Sequence, residues 1–241
     1  MRVLASILPL LTLAAAAHAQ QDDTPPPIDS DQQAIIAKAR EKALSYGQGL
    51  PDFVCNRVTR YNLDPSGTGQ QWKFLETVNE ELDYTNHQQT FKPVSGKKAS
   101  ETPSDDFGNL MTWIFAPTAK TEFKWSSWAN YSKRRTYVFA YQVRQPDSQF
   151  PAGNGKSKIT IPFGGLVWID VETSQPLRVA ATGQTPKGFS VQSPTIETLY
   201  DFVKVGDREV VLPTKSDYRS KEGKSLVWNE TEFRKYRKPG A

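Results

Sequence analysis

Between Trp72 and Tyr84 apolar and polar positions alternate. Trp72, Phe74, Val78, Leu82 and Tyr84 fall on one side, and Lys73, Thr77, Asn79, Glu81 and Asp83 on the other. A period of two is that of a half-buried strand. The same reading predicts strands over Phe53–Tyr61, Gln88–Val94, Thr121–Tyr131, Thr136–Val143, Lys158–Ile161, Leu166–Asp170, Leu177–Thr182, Thr195–Val203, Glu209–Leu212 and Leu226–Phe233. Turn residues separate them: Asp64-Pro65-Ser66-Gly67, Asn86-His87, Lys133-Arg134, Glu172-Thr173-Ser174, Gly206-Asp207 and Glu222-Gly223. Proline presets φ, and glycine or asparagine accepts positive φ. Connections this short join antiparallel neighbours.

The period changes once, near the start. Ser30 or Asp31 caps a predicted helix that runs through Gln32–Leu44, with Ile36, Ala39, Ala43 and Leu44 on one face and Gly47 as its stop. A second, short helix is predicted over Phe107–Phe115, after a polar loop from Ser95 to Asp106. The fold class is therefore mainly β (α+β). A strongly curved antiparallel sheet, an incomplete barrel, is expected, with the main helix covering a face or plugging an opening.

The first residues follow neither period. Met1-Arg2, an apolar run from Val3 to Ala17 and the small-x-small site Ala17-His18-Ala19 read as a secretory signal, cleaved after Ala19. The run is shorter than the roughly 20 residues that span a bilayer. No Cys follows it, which argues against a lipid anchor. The expected organisation is a signal peptide at 1–19, a disordered Pro-rich leader at 20–29 carrying Thr24-Pro25-Pro26-Pro27, and one β-rich domain at 30–241. The location is periplasmic or extracellular, and the product does not span the membrane.

Composition narrows the chemistry. The net charge is only +4 and the charges are mixed, which speaks against a nucleic-acid partner. One cysteine, Cys55, cannot form an internal disulfide and reads as a buried thiol. After the signal a single histidine remains, His87, in a turn; a Ser-His-Asp or Cys-His system would have to use it, and nothing places it near Cys55 or any particular serine, while one His and one Cys are too few for an ordinary zinc site. Gly164-Gly165 lacks a following Lys-Ser/Thr, so it reads as a strand bend and not as a phosphate loop. No cofactor or metal motif and no catalytic residue stands out. Glu80, on the side of Val78, is the one candidate for an acid with a raised pKa.

Gly165-Leu166-Val167-Trp168-Ile169-Asp170-Val171-Glu172-Thr173-Ser174-Gln175-Pro176-Leu177-Arg178 resembles the G-x-x-W-I-D-x-E-T … L-R hairpin of secreted bacterial proteins in the LolA/LolB-like lipoprotein-carrier superfamily. Tyr200-Asp201-Phe202-Val203 with Gly206-Asp207-Arg208 and Leu212-Pro213 is similar to their next hairpin. Leu50–Cys55 and Arg234–Arg237 are similar to stretches in uncharacterised secreted proteins of Acidobacteria-type bacteria. The resemblance implies an unclosed β-barrel with a helical lid, and apolar ligand handling. The chain departs from the carriers in lacking a lipobox, and none of their ligand-contacting residues is matched.

Aromatic residues recur at alternate strand positions. They either fill a core or line a cavity for a lipid or lipoprotein-like apolar ligand, with Trp72, Phe74, Phe139, Tyr141, Trp168, Tyr200 and Phe202 as the candidate lining. Three functions remain: a non-enzymatic envelope protein binding an apolar or amphipathic ligand, a structural or interaction module with an envelope protein partner, and a glycan hydrolase using Glu80.

Overall fold

The structure, a computed structural model, describes residues 24–94, 107–153 and 158–240. The export signal and the polar loop at 95–106 lie outside the described residues. The elements are α1 (Asp29–Gly49), β1 (Phe53–Asp64), β2 (Lys73–Thr85), β3 (Gln88–Pro93), α2 (Asn109–Phe115), β4 (Glu122–Tyr131), β5 (Arg134–Val143), β6 (Pro151–Ala152), β7 (Ile159–Thr160), β8 (Phe163–Asp170), β9 (Pro176–Gly183), β10 (Val191–Val205), β11 (Arg208–Glu222) and β12 (Ser225–Arg237). Ten strands form one antiparallel sheet in the order β3-β2-β1-β12-β11-β10-β9-β8-β5-β4, while β6 and β7 pair separately. The sheet is not closed, because its two end strands, β3 and β4, do not pair. The incomplete barrel anticipated from alternation is the observed architecture.

One transverse row shows how the sheet uses its inner face. Trp125, Phe139, Val167, Val179, Thr198, Ser216, Thr231, Thr59 and Val78 are successive ladder partners from β4 to β2. Residues opposite each other in a ladder share a face. The row is apolar as far as β9 and hydroxyl-bearing from β10 to β1. Thr59 and Thr231 share a hydrogen bond of 3.1 Å, and Thr198 and Ser216 one of 3.4 Å, all four being buried. One step along β1 and β2, Arg57 and Glu80 form an ion pair at 3.0 Å with side chains 7% and 4% exposed.

Helices α1 and α2 lie on this face. Leu110, Met111, Ile114 and Phe115 of α2 and Ile36, Ala39, Ala43 and Tyr46 of α1 join Phe53, Leu82, Phe139, Phe163 and Tyr200 in one continuous core. The helix departs from expectation in three ways. It begins at Asp29, with Ile28 at the cap position and no side-chain cap from Ser30 or Asp31; Asp29 and Asp31 instead complement the dipole of the first turn. It passes through Gly47 to Gly49, because tertiary contacts fix its end. The Tyr84 hydroxyl and His87 Nδ1 both donate to the Gly47 carbonyl at 3.1 Å. Tyr46 takes the core position expected of Leu44, which is 38% exposed.

Strands β10, β11 and β12 run well beyond their predicted ends. Pro213 sits inside β11 beside a register shift at Leu199/Tyr200, which accommodates its missing N–H. Gly164 and Gly165 lie within β8 and not at a bend. A Cβ on Gly165 would fall 1.9 Å from the Ala180 carbonyl oxygen, so close strand approach requires glycine there. A register shift between Tyr61 and Asn62 breaks the expected alternation of β2. Val78, Glu80, Leu82 and Tyr84 point inward, but Phe74 is 62% exposed.

Candidate ligand groove along the first helix

Space remains beside α1. A groove of about 460 Å³ runs between the N-terminal half of α1 and the β4–β5 margin of the sheet. Ile36, Ala37, Phe123 and Phe139 give it an apolar floor; Asp29, Gln32, Gln33 and Arg40 give it a polar rim. Helical geometry places Asp29, Gln32, Gln33, Ile36, Ala37 and Arg40 on neighbouring stripes of α1, and Phe123 and Phe139 face them from β4 and β5. Arg40 is held in place, since its Nε donates to the Phe115 carbonyl at 3.1 Å. The volume lies in the range of small-ligand sites, and the lining suits an apolar body with a polar or anionic head.

A second groove of about 410 Å³ flanks the same helix, lined by Pro25, Pro27, Ile35, Trp128, Tyr137 and others. Trp125 makes ring contacts with Trp128, Tyr137 and Phe139, and so touches the lining of both grooves. The extended residues ahead of α1 are tied to this margin. Trp128 Nε1 donates to the Pro25 carbonyl at 3.1 Å, Arg135 donates to Thr24 Oγ1 at 2.7 Å, and the Arg135 guanidinium lies 4.1 Å from the Trp128 ring centre.

The hairpin that carried the family resemblance is built for rigidity. Asp170 is buried; Arg134 pairs with it through two 2.8 Å hydrogen bonds, and Thr173 donates both its N–H and its hydroxyl to it. Burial raises the Asp170 pKa, but these bonds win and hold the carboxyl below its ordinary range. Arg134 also pairs with Glu172 at 2.7 Å and stacks on Phe202. Arg178 lies 4.2 Å from the Trp168 ring centre and bonds Glu197 at 2.6 Å. Burial, then the charge of Asp201, pushes the Tyr131 phenol up to about 12; its hydroxyl donates to the Tyr200 carbonyl at 3.2 Å.

The seven aromatic positions singled out in the sequence do not meet in one cavity. Phe139, Tyr141 and Tyr200 are buried in the core, and Phe139 also floors the first groove. Trp168 points to the opposite face from Val167 and Ile169. Trp72 meets Trp228 at the end of the sheet beside exposed Phe74. Phe202 lines a smaller groove of about 240 Å³ near the end of α1. Glu80 is engaged by Arg57. Sequence reasoning passed over Ile36, Ala37, Arg40 and Phe123 as groove residues. The available signal was the second apolar stripe of α1 together with Phe123, Trp125 and Trp128 on an edge strand.

No protein-family model and no curated protein matches the chain. Among solved structures it is similar to a DUF1329 family protein from Desulfovibrio piger, at 10% identity, TM-score 0.39, covering 86% of this chain and 94% of that one. It is similar to a LolA superfamily protein from Nitrosomonas europaea, at 11% identity, TM-score 0.35, covering 87% and 94%. It is similar also to the lipoprotein LppX of Mycobacterium tuberculosis, at 13% identity, TM-score 0.30, covering 87% and 98%. At these scores the function has to be argued from the groove itself.

Proposed function

We propose that this protein is exported to the cell envelope and there holds, without catalysing a reaction, an apolar or amphipathic ligand in the groove between α1 and the β4–β5 margin. The observation that carries the reading is the lining: an apolar floor of Ile36, Ala37, Phe123 and Phe139 under a rim bearing Arg40. A lipid-like molecule with a polar head matches both surfaces. Among the described residues no helix is long and apolar enough to cross a membrane.

Ala37 is exposed and lines the groove, so Ala37→Trp fills the space without touching the core. Binding of a dansylated fatty acid is expected to weaken by about tenfold or more, about 1.4 kcal/mol, with an unchanged melting temperature. A wild-type protein that does not bind the probe, or a variant that binds equally well, removes the reading. The solid packing of Phe139, Tyr141 and Tyr200 favours the second reading, an interaction module of the envelope. Native mass spectrometry of protein purified from its own envelope separates the two: a bound small molecule supports the first, a bound protein the second.

A further inference from the structure

We infer that the tip of the β1–β2 hairpin is a docking surface for the anionic face of a lipid bilayer. β3 pairs with Glu80–Thr85 and Val94 N donates to the Asn79 carbonyl at 2.9 Å, while residues 73–78 run on alongside β1. At the start of β2, Phe74 and Leu75 are 62% and 57% exposed. Leu75 has no ladder partner on β1 at the register shift between Tyr61 and Asn62, and with Phe74 it makes the tip an exposed apolar wedge.

The wedge is stiff before it meets anything. Asp64 accepts hydrogen bonds from Ser66 N at 2.8 Å, Ser66 Oγ at 2.6 Å and Gly69 N at 2.6 Å. Trp72 Nε1 donates to the Gly69 carbonyl at 3.0 Å, and its ring packs edge-on to Trp228 at 5.6 Å. The neighbouring β11–β12 turn abuts this loop closely, since a Cβ on Gly67 would fall 2.2 Å from the Lys224 carbonyl oxygen. Little ordering entropy is lost when a preformed apolar tip enters an interface.

The charge around the wedge has one sign at the surface. Lys73, Lys221 and Lys224 are exposed. The acids beside them are drawn back: Asp64 is buried in its loop bonds, Glu222 is half-buried and accepts from Ser220 at 3.3 Å, and Glu76 is half-buried. Aromatic and aliphatic side chains ringed by lysine match the interfacial region of an anionic leaflet. Each lysine near such a surface strengthens binding about fivefold at low salt.

The test is co-sedimentation of the purified protein with phosphatidylglycerol/phosphatidylethanolamine vesicles and, in parallel, with phosphatidylcholine vesicles. The protein is expected to sediment with the anionic vesicles in low salt and to be released by high salt. F74S/L75S is expected to weaken that binding about tenfold with an unchanged melting temperature. K73E/K224E is expected to abolish the preference for anionic lipid. Ala37→Trp is expected to sediment like the wild type, which separates this surface from the groove. Absence of sedimentation, or sedimentation that F74S/L75S leaves unchanged, overturns the inference. So does equal sedimentation with both vesicle types, or capture of an acidic protein through the tip with no lipid binding.

Discussion

Phe139, Val167 and Val179 face inward from β5, β8 and β9, whereas Thr198, Ser216, Thr231 and Thr59 continue the same row across β10, β11, β12 and β1. One wing of the sheet is stabilised by apolar burial under α1 and α2. The other buries hydroxyls and an ion pair that must satisfy each other. Apolar contacts are non-directional, so loss of a side chain there costs transfer and cavity terms that no second change repairs. Polar contacts are reciprocal, so the damage comes from the partner left behind. The two wings should therefore answer differently to paired mutations.

The largest effects test this directly. Phe163→Ala in the apolar wing and Arg57→Met in the polar wing are each expected to destabilise by about 3–5 kcal/mol in urea unfolding. Adding Glu80→Leu to Arg57→Met should restore part of the loss, because it removes the buried carboxylate that Arg57 paired with. A double variant no more stable than Arg57→Met would abolish the distinction between the wings. A smaller effect is expected along the hydroxyl row. Thr231→Val should cost about 1–2 kcal/mol by leaving the Thr59 hydroxyl unmet, and Thr59→Val on top of it should bring stability back towards wild type.

The smallest effect separates the two aspartates that close turns, Asp64 in the polar wing and Asp170 in the apolar one. Burial alone would raise the Asp64 pKa, but hydrogen bonds from Ser66, Gln71 and Gly69 lower it from 3.8 to about 2. A carboxyl with a lowered folded pKa stabilises the fold above its unfolded value and loses that contribution as pH falls. For Asp64 the window runs from about 4 down to about 2. Asp64→Asn should flatten this part of a melting-temperature profile. Asp170, with Arg134 beside it, should show a dependence of the same sign that salt weakens. A steeper acid limb in Asp64→Asn would contradict the assignment.

The same contrast explains what was legible in the sequence. Strands with apolar inward positions, such as Tyr137, Phe139 and Tyr141, showed their period plainly, and the turn at Asn86-His87 has the positive φ values its residues imply. The sequence reading ends β11 at Leu212 because its inward residues beyond Pro213 include Ser216, which looks like a loop residue until Thr198 and Thr231 lie beside it. The helix was found but its face was misjudged at Leu44, since only the Tyr46–Tyr200 ring contact decides which residue turns inward. Phe74 was placed with Val78 because the register shift that separates them arises in the pairing with β1. The groove was missed because it is made between elements, α1 against β4 and β5, and no single period reports on such a gap.

β1 and β12 are the first and last strands of the chain, yet they are ladder partners in the interior of the sheet, from Val54↔Arg237 to Asp64↔Leu226. The polar wing is thus stitched through its middle by residues far apart in sequence, the slowest kind of contact to form. Until the final strand arrives, β1-β2-β3 and the remaining strands are separate hairpin sets with raw edges. The ten-stranded sheet is therefore completed only when β12 pairs with β1.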